Sequence, residues 1–497
     1  MSKPFYITTT LPYVNAEPHV GFAMEIIRAD VIARYKKLTG HDVFFNTGTD
    51  EHGLKLWESA QKSGKDVRDY VDGYAEKFRG LVELLGISDD IHFIRTTDAH
   101  HESAAQKLWQ ICDERGYIYK GKYSAKYCVG CELEKTDSEL DEKGRCPIHP
   151  NRELELIDEE NYFFALSKVA PLLEKYYADH QQLVIPDFRY NEMKAFLSRG
   201  LQDFSISRSA EKMPWGVPVP GDASQVMYVW FDALTNYIST LGWPDGEVSE
   251  KNGDETLFEK FWQNGDKVQY CGKDNTRQQS LTWQAMLLSA GLPGTDHVVV
   301  NGFINSGGQK MSKSLGNVIS PYDVVAVFQP VAGNLASDVL RYILLRHTNS
   351  FEDSDLTMEA MIEWYNAGLA NGLGNLASRI LTLSQKYLIS APTSAPDFSN
   401  HIDMKEFSIK LQEFDIVTAT DYVWKEVQSL DKYIQETEAF KVVKTDEEKG
   451  KALIGEYVAR LHSITTMLAP LMPKTHDLLK ALIQQNMKPE KPLFQRI

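Results

Sequence analysis

Residues 5–53 read FYITTTLPYVNAEPHVGFAMEIIRADVIARYKKLTGHDVFFNTGTDEHG, and the fold is decided here. Phe5 to Thr10 is aromatic and β-branched, which suits a buried strand. Leu11 to Pro18 holds two prolines and an asparagine and reads as loop. Met24, Ile27, Val31, Tyr35 and Leu38 then recur at spacings of three and four, one face of a helix that Gly40 ends. A second strand, Val43 to Asn46, runs into Gly48-Thr49-Asp50-Glu51-His52-Gly53. Strand, loop, helix, strand predicts a Rossmann-type α/β fold on a parallel sheet, whose ligands gather beyond the carboxyl ends of its strands.

Further along, the rhythm breaks from about Gly116 to Gly221, where charges and three of the five cysteines collect as they would in an insertion. It resumes with Val226 to Phe231, Val268 to Cys271 and His297 to Gly302 as strands. Beyond about residue 360 the chain reads as helical, with its clearest apolar face at Ile454, Tyr457, Val458, Leu461, Ile464, Met467 and Leu468. The expected division is 1–115 and 222–325 as two halves of one α/β domain, 116–221 as the insertion between them, 326–360 as a connector and 361–497 as an all-α domain. A chain of 497 residues is too long for one core.

A formal charge of −16 disfavours a protein that coats nucleic acid without specificity, because such proteins neutralise phosphates; any RNA contact has to lie on a local basic patch. Apolar content of 43% with no membrane-length run, and no basic or cleavable leader, point to a cytoplasmic protein without a membrane partner. Cys112 and Cys271 stand alone in apolar surroundings and read as buried thiols, with no disulfide framework.

Three motifs carry chemistry. Pro18-His19-Val20-Gly21 opens the first helix, where unpaired N–H groups suit a phosphate; His19 can donate to a phosphate oxygen and Gly21 lets a flat base approach. Lys310-Met311-Ser312-Lys313-Ser314 follows a strand and Gly307-Gly308, and two ammonium groups there can meet charge growing on a leaving pyrophosphate. Cys128-x2-Cys131-x14-Cys146-x2-His149 has the paired spacing of a zinc knuckle. Four protein ligands leave no place for water, so Zn²⁺ there would be structural.

The helix-start HxG element and the late KMSKS together resemble the class I aminoacyl-tRNA synthetases. With Gly48 to Gly53, Tyr228-Val229-Trp230-Phe231-Asp232-Ala233 and Gly272-Lys273-Asp274, the chain is similar to the methionyl-tRNA synthetase family over nearly its whole length, in the branch with a single zinc knuckle. The resemblance implies that L-methionine reacts with ATP, accompanied by Mg²⁺, and passes to tRNA(Met). By position, His19, Lys310 and Lys313 would be catalytic, and Gly21, Met311, Ser312 and Ser314 would join them around ATP. Asp50 would hold the substrate ammonium, while Leu11, Tyr13, Trp230, Ala233 and Tyr237 would line the side-chain pocket and Asp274, Asn275 and Gln279 would complete it. In the helical region Asn375, Arg379 and Phe440 would meet the anticodon, the last stacking a base where the family has tryptophan.

The sequence departs from the family at four further places. Phe22 replaces the second signature histidine, and removing one such phosphate donor costs about 3 kcal/mol of transition-state stabilisation unless another group compensates. Leu234 replaces a pocket proline, and Asn275 and Gln279 replace an isoleucine and a histidine that face the substrate; Gln279 can still donate to sulfur. Two other readings stay open at this stage, a class I paralogue charging another amino acid and a tRNA-binding paralogue without catalysis. The chain ends soon after Pro492-Leu493-Phe494, so no appended dimerising RNA-binding domain is expected, and the protein is expected to be a monomer.

Overall fold

The computed structural model describes residues 2–130, 133–135, 139–245, 255–311, 315–390 and 404–497. Cys131, Ser312, Lys313 and Ser314 lie outside the described residues.

Six strands form one parallel sheet in the spatial order His92–Arg95, Val43–Thr49, Phe5–Thr8, Asp266–Gly272, His297–Asn301, Val184–Ile185. Phe5–Thr8 is central, and the chain leaves it to one side and returns on the other. That reversal opens a crevice beyond the carboxyl ends of Phe5–Thr8 and Asp266–Gly272, where open parallel sheets bind ligands. The second strand runs three residues further than its apolar pattern predicts, to Thr49, so that Asp50 begins where the sheet ends.

Helix Val20–Leu38 follows the first strand as expected, but it is buried on almost every side, and Glu25, Arg28 and Asp30 lie inside with its apolar residues. Most of their polar atoms find partners, Arg28 Nε excepted. Arg28 donates to Asn301 Oδ1, Thr348 Oγ1 and the carbonyls of Asn349 and Ser350. Asp30 accepts from Ser88 and pairs with Arg34 and, at 2.8 Å, with Arg341, whose own Nε donates to the carbonyl of Leu471. This helix therefore locks the sheet to the helical region. One apolar core continues from Phe5 and Val20 to Leu479 and Phe494.

The expectation of a strand at Val226–Phe231 is corrected. Val226 and Met227 end an antiparallel strand, Asp222–Met227, in a separate three-stranded sheet, and Val229–Ala233 is a helical turn. A run of consecutive apolar residues has no period to separate the two conformations. Between 116 and 221, Ile118–Cys128, Leu133–Lys135, Glu155–Phe164 and Phe204–Ser205 form a four-stranded antiparallel sheet, while Val184–Ile185 supplies the outermost strand of the main sheet. From Met358 the described chain is helical, and the seven residues of the predicted apolar face on Glu447–Leu471 are all buried. No described helix is long and apolar enough to cross a membrane. Cys112 and Cys271 are buried, and burial pushes the Cys112 thiol up to about 12.

Candidate active site

A cavity of about 510 Å³ occupies the crevice. It brings together Leu11, Tyr13, His19, Gly21, Asp50, Trp230, Ala233, Tyr237, Asp274, Asn275, Gln279, Lys310 and Met311, which is every described residue that the sequence assigns to ATP or the amino acid.

Backbone bonds sew its floor. The N–H of Asp50 donates to the carbonyl of Pro12 at 2.9 Å, and Val14 N–H returns to the Asp50 carbonyl at 3.1 Å, which sets Tyr13 and Asp50 side by side. Below them Asp232 is fully buried between two imidazoles, with His52 Nδ1 at 2.7 Å from one oxygen and His101 Nε2 at 2.9 Å from the other. Burial alone would raise this carboxyl, yet His52 and His101 hold it down to about 2. The His52 ring, which burial opposes, is pulled above its ordinary value by Asp232. This cluster clamps the segment carrying Asp50 to the helical turn carrying Trp230 and Ala233. The motif stretches contain Asp232 and His52, but nothing in a linear sequence pairs them.

At the other end of the cavity, His19 is the N-cap of its helix, and its Nδ1 accepts from Gly21 N–H at 3.1 Å. That bond places the ring proton on Nε2, leaving a neutral donor for a phosphate oxygen. The protein around the cavity depresses the His19 pKa; Asp274 opposes this and Lys310 reinforces it. Gly21 is required by closeness: a Cβ there would stand 2.9 Å from the His19 ring. Phe22 is no phosphate donor and turns edge-on to Phe78, 5.3 Å between ring centres, in an apolar cluster beside the cavity.

Lys310 stands on a hairpin of Ile304–Ser306 and Gln309–Lys310. Gly307 and Gly308 turn it with φ of +60° and +75°, the positive pair that a tight two-residue hairpin turn demands. Ile304–Ser306 also pairs with Ser354–Leu356, which roots the hairpin in the body of the protein. The Lys310 ammonium lies over the Phe303 ring, 4.5 Å from its centre.

Sequence reasoning missed Glu25 and Lys55, which also line the cavity. Burial pushes Glu25 up to about 8 although Thr10 N–H donates to it at 2.8 Å, which weakens the negative charge of this wall. Glu25 sits on the polar side of no visible pattern, and Lys55 follows the Gly48–Gly53 motif by two residues.

Cys128, Cys146 and His149 bring their ligand atoms within 4.8 Å of one another, with Cys128 Sγ 3.7 Å from His149 Nδ1. A zinc tetrahedron has an S–N edge of roughly 3.6 Å, so these residues fit Zn²⁺. Gly130 leaves room for the imidazole, since a Cβ there would come within 2.6 Å of the His149 ring. In the helical region Asn375 opens helix Asn375–Tyr387 and is exposed. Arg379 is paired with Asp431 at 2.5 Å, and Phe440 is 40% exposed at the start of Ala439–Thr445.

The parallel sheet thus brings a histidine-capped helix and a lysine hairpin to one crevice, the place where open α/β sheets bind ligands. The family model described as tRNA synthetases class I (M) matches residues 5–156 and 149–381. Methionine–tRNA ligase of Thermotoga maritima is 38% identical over 98% of this chain and 76% of its own length, and that of Fusobacterium nucleatum is 37% identical over 96% and 73%. The solved structure of Mycobacterium tuberculosis methionyl-tRNA synthetase in complex with methionyl-adenylate is similar with a TM-score of 0.88 at 31% identity, covering 99% of this chain and 100% of that one. The chain belongs to the class I tRNA synthetases, and within them to the methionyl-tRNA synthetase family, which makes it an aminoacyl-tRNA ligase.

Proposed function

We propose that the protein activates L-methionine with ATP and transfers the methionyl group to tRNA(Met). One observation carries this reading: His19 and Lys310, from opposite ends of the α/β chain, line the same cavity as Asp50, Tyr13 and Trp230. In this reading the methionine ammonium pairs with Asp50, and the unbranched thioether lies among Leu11, Tyr13, Trp230, Ala233 and Tyr237, with Asn275 and Gln279 closing the pocket.

ATP enters as its Mg²⁺ complex. The methionine carboxylate attacks the α-phosphorus, and pyrophosphate leaves with the electron pair of the broken P–O bond. His19 Nε2–H donates to a phosphate oxygen, Lys310 and Lys313 neutralise the departing charge, and Gly21, Met311, Ser312 and Ser314 hold the nucleotide, while Asp274 belongs with Asn275 and Gln279 to the amino-acid pocket. A terminal ribose hydroxyl of the tRNA then attacks the activated carbonyl and AMP leaves. The protein positions charge and forms no bond to the substrate, so no nucleophilic side chain is needed.

Cys128, Cys131, Cys146 and His149 hold a structural Zn²⁺ in this reading, and Asn375, Arg379 and Phe440 meet the CAU anticodon. The protein works in the cytoplasm as a monomer.

ATP–pyrophosphate exchange with each of the twenty amino acids tests the assignment. Exchange with methionine alone is expected, and exchange driven by a different amino acid overturns it. Tight tRNA binding without any adenylate formation would point instead to a paralogue that has lost catalysis.

A further inference from the structure

The amino-acid end of the cavity is backed by a chain of buried amides whose hydrogen bonds all run one way. The backbone N–H of Thr295 donates to Gln284 Oε1 at 2.9 Å, and because a backbone N–H can only donate, it fixes the orientation of that carboxamide. Gln284 Nε2 then donates to Thr295 Oγ1 at 3.1 Å and to the carbonyl of Gln279 at 2.9 Å. Holding that bond as acceptor, the Thr295 hydroxyl donates to Gln269 Oε1 at 2.6 Å. Gln269 is left to present Nε2 to Gln279 Oε1 at 3.4 Å, and Gln279 presents Nε2 to the Tyr237 hydroxyl oxygen at 2.6 Å. All five residues are 1% exposed or less.

The phenol at the end of the chain receives a hydrogen bond, so its own proton has to point elsewhere. Burial keeps it protonated far above its ordinary range. Tyr6 Oη anchors the Tyr237 carbonyl at 2.9 Å, and both Tyr237 and Gln279 line the cavity. Gln279 sits in a π-helical turn, Gln278–Thr282, a local widening that recurs at functional sites.

We propose that Gln284, Thr295 and Gln269 are positioning residues that commit the Tyr237 hydroxyl to donate into the amino-acid pocket, so that the side chain accepted there must carry a hydrogen-bond acceptor within its length. The proposal rests on the methionine-activating reading and deepens it. A thioether sulfur accepts the proton, whereas the methylene of norleucine, which has nearly the same shape, leaves a buried donor unpaired. Selection of thioether over hydrocarbon is thereby assigned to residues that do not touch the substrate.

The test is the ratio of kcat/KM for methionine to that for norleucine, measured by ATP–pyrophosphate exchange on the full chain. Thr295→Val removes the hydroxyl that passes the direction on from Gln284 to Gln269, and the ratio is expected to fall roughly three- to tenfold, toward the value for Tyr237→Phe, with KM for ATP unchanged. Thr295→Ser keeps the hydroxyl and is expected to keep the ratio. Gln269→Met interrupts the chain one step later and gives the same reading should Thr295→Val not fold. A wild-type ratio in Thr295→Val or Gln269→Met, with a lowered one in Tyr237→Phe, overturns the relay. An unchanged ratio in Tyr237→Phe overturns the donor assignment itself. Failure of the functional reading looks different: the wild-type chain would then exchange no methionine.

Discussion

The backbone N–H of Val20 donates to the carbonyl oxygen of Ile319 at 3.0 Å, joining the first turn of the signature helix to the return limb of the lysine loop. The other limb is tied nearby: Asn317 Nδ2 donates to the Lys310 carbonyl at 3.3 Å, and Ile319 N–H to Met311 Sδ at 3.4 Å. The meeting of His19 and Lys310 is thus held by bonds that use neither of their side chains.

Because His19 keeps its proton on Nε2, His19→Ala removes a neutral phosphate donor without disturbing the loop. The expected result is a fall in kcat for adenylate formation of about 100-fold, as for loss of one preorganised donor, with methionine KM changed little. Exchange kinetics at saturating ATP check this; a variant with unchanged kcat would remove His19 from the chemistry.

Asp232→Asn removes the buried carboxylate that His52 Nδ1 and His101 Nε2 share. Breaking a buried ion pair from one side costs about 3–5 kcal/mol, so a large drop in the denaturation midpoint is expected. Since the same carboxylate holds the Asp50 segment against the Trp230 turn, methionine KM is expected to rise more than ATP KM. Equal changes in both would confine Asp232 to stability.

Metal analysis of the purified protein is expected to find about one zinc ion per chain, and Cys146→Ser is expected to lower that content and the melting temperature together. Wild-type protein free of zinc after preparation without chelators would refute the knuckle.

His347 stacks on Trp364 with 4.4 Å between ring centres, and burial followed by the neighbouring Arg346 lowers its pKa to about 4. Its folded value lies below its unfolded value, so between about pH 6.5 and 4 the unfolded chain binds the extra proton. The stability it contributes is complete above that window and is lost as the pH falls through it. His347→Phe is expected to flatten the pH dependence of the melting temperature across that interval, and an unaltered slope would place the titrating group elsewhere.

Much of this was legible in the sequence because it is local. Apolar spacing marks the helix from Val20, and prolines mark the loop before it. The cavity residues were legible chiefly because the motifs around them resemble those of a known family; residue type alone marked His19 and the Lys310 loop for phosphate, and would have left Trp230 in the core. What stayed hidden depends on pairing across distance: His52 with Asp232 and Asp232 with His101 are 180 and 131 positions apart, and no spacing rule links them. Val184–Ile185 is too short to show a period, so its place at the edge of the main sheet was invisible. The direction of the glutamine chain was likewise out of reach, since it is set by one backbone N–H.

Helix Val20–Leu38 has almost no face in water, and its two inward charges, Arg28 and Asp30, are each held by several bonds to other parts of the chain. Such a rod can neither roll nor slide without uncovering unpaired charge. A nucleotide drawing on His19 at its tip therefore pulls against a fixed abutment, and any adjustment that accompanies binding has to be absorbed by chain outside that rod.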